Sequence, residues 1–146
     1  DSRVGSYGVV AMVLALLGKF TLLTSLDAAL VPYAMLAGHA LSRFCAMLLL
    51  ATMDYVREDL LTKAKPLATR QSAGEMLVAM GFVNAALVFL SLEQAVAGCL
   101  LAALATRWLA RKFKRWLGGY TGDCLGATQQ VAEIAFYLGL AATLPQ

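Results

Sequence analysis

The hexapeptide Gly118-Gly119-Tyr120-Thr121-Gly122-Asp123 is where this sequence comes nearest to chemistry. Three glycines in five residues let a backbone approach a ligand closely. Successive N–H groups in such a turn can cradle an anion, and a helix starting just after it adds partial positive charge. Asp123 has two readings: an N-cap for that helix, which is favoured, or a metal or acid–base group. A second polar segment, Asp1-Ser2-Arg3-Val4-Gly5, can cap and anchor a helix or contact metal or phosphate. A third gathers Tyr55, Arg57, Glu58, Asp59 and Lys63.

Other costly residues lie inside apolar sequence. Lys19 stands midway along the first apolar stretch. Arg43 is about ten residues inside the second, roughly 15 Å deep at helical rise, and His39 is one turn from it on the same face. Glu133 lies in the last stretch, with Gln129 and Gln130 a turn before and Tyr137 a turn after. Ionisable groups in such places face a protein interior or a watery cavity. They suit structural pairing of Glu133 with Lys19 or Arg43, or a pocket that takes an anionic ligand. The run Arg111-Lys112-Phe113-Lys114-Arg115-Trp116 meets lipid headgroups, with Trp108 and Trp116 in the interfacial belt, or else walls a phosphorylated substrate. No nucleophilic triad or Walker glycine loop is present. Cys45, Cys99 and Cys124 make no metal spacing.

The elements that must position these residues are membrane-like. Apolar stretches run over Gly8–Leu26, Ala28–Met53, Met76–Leu92, Gln94–Ala110 and Leu125–Leu144. The Lys and Arg of the connecting segments fall on alternate sides only: Arg3; then Arg57, Lys63, Lys65 and Arg70; then Arg107 to Arg115. The turns near Asp27 and Glu93 have none. That is the positive-inside pattern of a multi-pass protein. The chain is 60% hydrophobic and 14% charged, far from a soluble composition, and Val9–Leu17 lacks the polar stripe of a soluble bundle. The expected fold is an all-α transmembrane helical bundle of five spans, forming one domain over 1–146, with its polar segments facing the cytoplasm. Pro32 makes the start of the second stretch a turn or a tilted entry. Ser91-Leu92-Glu93-Gln94 divides the third and fourth spans, and the basic run continues the fourth helix out of the membrane. The net charge of +3 belongs to the loops, so no nucleic-acid partner is expected. The chain starts at Asp1 rather than Met, which suggests the later part of a longer protein.

Taken together, these segments resemble the cobalamin synthase family, the adenosylcobinamide-GDP ribazoletransferases. The resemblance rests on Asp1-Ser2-Arg3-Val4-Gly5 with Tyr7-Gly8 and Lys19-Phe20, on Ser42-Arg43 and Tyr55-Val56-Arg57-Glu58, and above all on Gly118 to Ala127 with Glu133 beyond. Family members extend further at the amino terminus, and that part carries their aspartate-rich, metal-binding motif. At Asp59–Lys63 many members have glycines instead.

The resemblance implies an integral-membrane transferase of the last steps of cobalamin biosynthesis. Such an enzyme joins α-ribazole, or its 5′-phosphate, to adenosylcobinamide-GDP with release of GMP and support from Mg²⁺. It implies a bacterial or archaeal plasma membrane, the lipid bilayer and an amino-terminal segment as partners, and a homo-oligomer as a further one. On that reading Asp123 and Arg43 are catalytic. Arg3, Arg57, Gly118, Gly119, Thr121 and Gly122 hold phosphate or substrate. Asp1 and Asp123 reach the metal, whose main ligands precede residue 1, so residues 1–146 alone are expected to be inactive. The competing class is a small transporter or channel subunit lined by Lys19, Arg43 and Glu133. It requires polar groups reaching both faces, whereas here they gather on one.

Overall fold

A computed structural model describes residues 5–56 and 71–144. Five helices follow in order: α1 (Ser6–Thr24), α2 (Val31–Thr52), α3 (Ala73–Leu87), α4 (Leu92–Leu117) and α5 (Gly122–Ala142). The expected all-α bundle is what forms. Among the described residues the only extended pairing is an isolated parallel bridge between Tyr55 and Tyr120.

The boundaries follow local chemistry. Asp27 to Leu30 make a turn closed by Leu30 N–H donating to the Asp27 carbonyl at 2.8 Å, and Pro32 sits in the first turn of α2, where its missing N–H costs nothing. Ser72 with Glu75 and Ser91 with Gln94 form capping boxes that start α3 and α4. The second of these is the physical reason the long apolar run breaks at Ser91. α4 carries the basic run as a continuous helix and ends at Gly118, whose φ of 78° is left-handed.

α1 and α2 are each long and apolar enough to cross a membrane. α3 is apolar but has 15 residues, about 22 Å of helix against a core of about 30 Å. Large apolar side chains are exposed on α1 from Tyr7 to Phe20, and on α3 at Leu77, Val78 and Phe82. Helices apolar on every side suit a lipid surround. Buried hydroxyls bond within their own helices: Thr106 donates to the Ala102 carbonyl and Thr128 to that of Cys124, each at 2.8 Å.

α5 is the central helix. Phe136, Tyr137 and Leu140 are its wholly buried large side chains. Small residues let the others approach. A Cβ on Gly98 of α4 would lie 2.6 Å from the Phe136 ring, and one on Gly139 would strike the Gly98 backbone. Close backbone crossings of this kind replace hydrophobic driving force with packing in a membrane. α2 meets α5 at Gly38, under the Tyr137 ring, and Ala34 and Ala37 of α2 are wholly buried.

These contacts fix direction. Along α2 and α5, Gly38 meets Tyr137, while Asp54 and Val56 beyond α2 meet Tyr120 before α5, so the two are antiparallel. The tight turn between α1 and α2 makes α1 parallel to α5. One end of the bundle therefore holds Gly5, Asp54–Val56, Ser72, the α4 basic run and Gly118–Asp123. The other holds Thr24–Leu30, Leu87–Ser91 and Thr143. The α4 basic run lies at the first of these ends, while Arg3, Arg57, Lys63, Lys65 and Arg70 lie outside the described residues.

Candidate functional site at the basic end

The Gly118–Asp123 turn is fixed by the chain itself. Tyr120 N–H donates to the Asp54 carbonyl at 3.0 Å, and Val56 N–H donates to the Tyr120 carbonyl at 2.9 Å. A Cβ on Gly119 would collide with the Asp54 carbonyl oxygen and with Val56. Gly118 is the helix cap, and the close approach that Gly119 permits is to Asp54–Val56. Tyr55 and Tyr120 meet edge to face at 5.6 Å, and burial pushes the Tyr120 phenol up, with Tyr55 and Asp54 adding to it.

The capping expectation for Asp123 is corrected. Thr121 is the N-cap: its backbone is extended and its hydroxyl accepts from Cys124 N–H at 3.4 Å. It is buried and also donates to the Cys124 sulfur, so it shapes the turn. Asp123 lies already inside the helix, in its first turn, with its side chain exposed. Its charge complements the helix dipole there and is open to a ligand. Gly122, also exposed, has nothing within 4 Å of an added Cβ.

Deeper in the bundle a second polar cluster forms around Glu133, which is almost wholly buried. Lys19 Nζ donates to its Oε2 at 2.9 Å and to Gln130 Oε1 at 2.7 Å. Tyr137 donates to Glu133 Oε1 at 2.8 Å, and His39 Nδ1 stands 3.4 Å from the same oxygen. Of the two cations considered as partners for Glu133, it is Lys19 that pairs with it. Arg43 lies one turn nearer the basic end, exposed, its guanidinium 3.5 Å from the His39 carbonyl.

Between these two levels the bundle opens. On α1 the partly buried positions are Ala15, Gly18, Lys19, Leu22 and Leu23, a single helical seam, and every residue from Gly5 to Leu14 is exposed. α1 therefore rests on the bundle only through its far half. On α5 the residues Gly122, Asp123, Gly126, Ala127 and Gln130 are all exposed on one face. His39 and Arg43 of α2 are exposed too, His39 at the level of the Lys19–Glu133 pair and Arg43 one turn nearer the basic end. At the opposite end the groove between α1 and α2 is of another kind, lined by Phe20, Leu23, Thr24, Leu26, Ala28 and Val31.

Lys112 sits over the rings of Trp108 and Trp116 at 5.5 and 4.8 Å. Both indoles are more than half exposed, so this stripe faces outward and suits the headgroup reading. Asp1, Arg3 and Arg57 lie outside the described residues. Among those described, no three His, Cys, Asp or Glu side chains come together to hold a metal ion. The pairing of Asp54–Val56 with Tyr120 is a feature that local sequence reading does not reach, because nothing in either segment names its partner.

The family model described as cobalamin-5-phosphate synthase, CobS, matches residues 1–141. Among curated relatives, an adenosylcobinamide-GDP ribazoletransferase of a Polaromonas species is 44% identical over 99% of this chain and 58% of its own length. Relatives of the same name from Shewanella piezotolerans and Shewanella woodyi are 42% and 44% identical, over 94% and 96% of this chain and 54% and 56% of theirs. The chain thus spans somewhat more than half the length of the relatives it matches. No solved structure matches it. With a match along nearly its whole length and an all-helical, membrane-type bundle to go with it, the chain belongs to the CobS family of cobalamin-5-phosphate synthases.

Proposed function

We propose that this chain forms the later part of a membrane-embedded transferase that joins α-ribazole, or its 5′-phosphate, to adenosylcobinamide-GDP and releases GMP. The observation that supports the reading is the open face of α5 at the basic end, which exposes Asp123 in the helix's first turn, with Arg43 of α2 exposed toward the same end. The relatives' name, adenosylcobinamide-GDP ribazoletransferase, supports ribazole transfer as the chemistry.

In that reaction a ribazole hydroxyl oxygen forms a bond to the cobinamide-side phosphorus. The bond from that phosphorus to the bridging oxygen breaks, and GMP leaves with that oxygen. The hydroxyl proton passes to a base. This chain's residues serve the charge that moves. Arg43 reaches the diphosphate with a planar fork that matches phosphate oxygens. The N–H groups of Gly122 and Asp123, in the first turn of α5, favour anionic oxygen at the same end. Asp123 is the carboxylate offered there, to metal or to the hydroxyl proton. Thr121, Gly118 and Gly119 hold the turn in shape, and Arg3 and Arg57 are assigned to phosphate on the family resemblance. Mg²⁺, when bound, neutralises the diphosphate. Asp123 and Asp1 are the contributors proposed from this chain, with further carboxylates expected before residue 1. This open face of α5 looks to the cytoplasm of a multi-pass plasma-membrane protein, as the loop charges favour.

The test uses membranes carrying the intact protein, adenosylcobinamide-GDP, α-ribazole 5′-phosphate and Mg²⁺. Release of GMP in step with formation of the joined product is expected. Substrate consumption without joining, or no GMP above control membranes, overturns the assignment.

A further inference from the structure

The Lys19–Glu133 pair lies below the proposed site, and the reaction as derived does not use it. Three observations make it more than a structural contact. First, Glu133 is fixed to the core. Tyr137 bonds its Oε1, and the Tyr137 ring packs on Gly38 of α2. Second, α1 has no wholly buried residue. Its seam is Ala15, Gly18, Leu22 and Leu23 apart from Lys19. These side chains are small or aliphatic, and an added Cβ on Gly18 meets nothing within 4 Å, so the apolar seam resists only weakly a slide of α1 by one turn, about 5.4 Å. The hydroxyls of Thr21 and Thr24 bond carbonyls of their own helix and carry no register information. Third, the same slide takes Nζ out of reach of both Gln130 and Glu133. It leaves two charges unpaired away from water, where they are costly. Among the described residues of α1, Lys19 is the one whose chemistry distinguishes one height from the next.

We propose that the Lys19–Glu133 pair is a register lock that sets the height of α1 against α5. The two helices are parallel, and the pair lies thirteen residues from Ser6 and eleven from Gly122, about 20 and 17 Å along the axes. Their first turns therefore stand within one helical turn of each other at the basic end. The chain entering α1 at Gly5 is held level with Thr121–Asp123. Lys19 and Glu133 are positioning residues. They act on the reaction through the placement of α1, and the consequence for turnover rests on the transferase reading above.

The test is cysteine cross-linking in the intact, membrane-inserted protein after replacement of Cys45, Cys99 and Cys124. Lys19 bonds residues 111 and 114 positions further along the chain. Cysteines at Ala15 and Ala127 are matched to that offset, and cysteines at Ala15 and Val131 report a one-turn slide. The decisive variant is the apolar triple Lys19→Met, Glu133→Leu, Tyr137→Phe. Replacing a buried ion pair by apolar groups often leaves stability unchanged, so a pair that serves only cohesion leaves cross-linking and turnover as they were. The lock instead predicts a roughly tenfold shift from matched to slid cross-links, equivalent to about 1.4 kcal/mol of register preference. It also predicts kcat about tenfold lower, with KM changed much less, because the walls on α2 and α5 still bind substrate. If the triple variant does not insert, Glu133→Gln is read by the same ratio, since it keeps an acceptor for Tyr137 and removes the charge. Matched cross-linking at the parental level in the inserted variant overturns the lock. If the parent protein releases no GMP, the transferase reading fails, and the cross-link ratio still decides the lock.

Discussion

The two ends of this bundle are built on opposite principles. At the far end α4 and α5 cross backbone to backbone at Gly98 and Gly139, Tyr33 stacks on Phe89 at 4.9 Å, and short turns join neighbouring helices. At the basic end α1 is exposed from Gly5 to Leu14, one face of α5 is open, and the loop after α2 pairs with the turn before α5. The closed end supplies rigidity by excluding side chains. The open end keeps exposed polar groups on fixed helices, where a ligand can reach them. A substitution at the first end is expected to break folding, and one at the second to break chemistry while the fold survives.

That contrast is broken most severely at the crossing. Gly98→Leu forces a side chain into the Phe136 ring, and overpacking of this kind costs about 1–3 kcal/mol or more. Little folded protein is expected in the membrane fraction by detergent-resistant thermal unfolding. Gly122→Ala at the other end meets open space and is expected to leave the unfolding midpoint in place.

Asp123→Asn sharpens the same comparison. Thr121 already caps α5, so the loss of one first-turn charge is worth about 0.3–1 kcal/mol. Activity should fall by about a hundredfold or more if the carboxylate serves metal or proton. Parallel measurement of GMP release and thermal midpoint separates the two effects, and an active Asn variant removes Asp123 from the site.

Much of this was legible in the sequence. The helices, the turn before Pro32, the Ser91 break and the continuation of α4 through Arg115 all follow from apolar length, capping residues and charge. Three points were not. Thr121 and Asp123 are both good caps, and only the path of the backbone through Gly122 decides which residue is still extended. Lys19 and Arg43 were equal candidates for Glu133 until the packing of Tyr137 on Gly38 set the relative heights of α2 and α5. The contact of Gly119 with Asp54–Val56 joins segments far apart in sequence, so the glycine alone could not say whether it makes room for a ligand or for the chain.

Arg43→Lys is expected to have a smaller effect than Asp123→Asn. The charge stays and the bidentate geometry goes, a loss of about 1.5–3 kcal/mol in transition-state binding, roughly ten- to hundredfold in kcat/KM. Insertion should be normal because the guanidinium is exposed and bonds only its own helix carbonyl among the described contacts. Wild-type kinetics would assign Arg43 to the helix surface. Smallest of all, Thr121→Ser keeps the cap hydroxyl and should shift the thermal midpoint little, whereas Thr121→Ala should cost about 1 kcal/mol.

The most direct measurement asks which end meets the substrate. In a background without the native cysteines, Gly126→Cys lies on the open face of α5, where an added Cβ has nothing within 4 Å. Leu92→Cys lies at the far end and is 80% exposed in the parent chain. Both are labelled with a thiol reagent in open membranes, with and without adenosylcobinamide-GDP and Mg²⁺. Substrate should slow labelling at position 126 and leave position 92 unchanged. Equal rates at position 126, or protection confined to position 92, would contradict a site at the basic end.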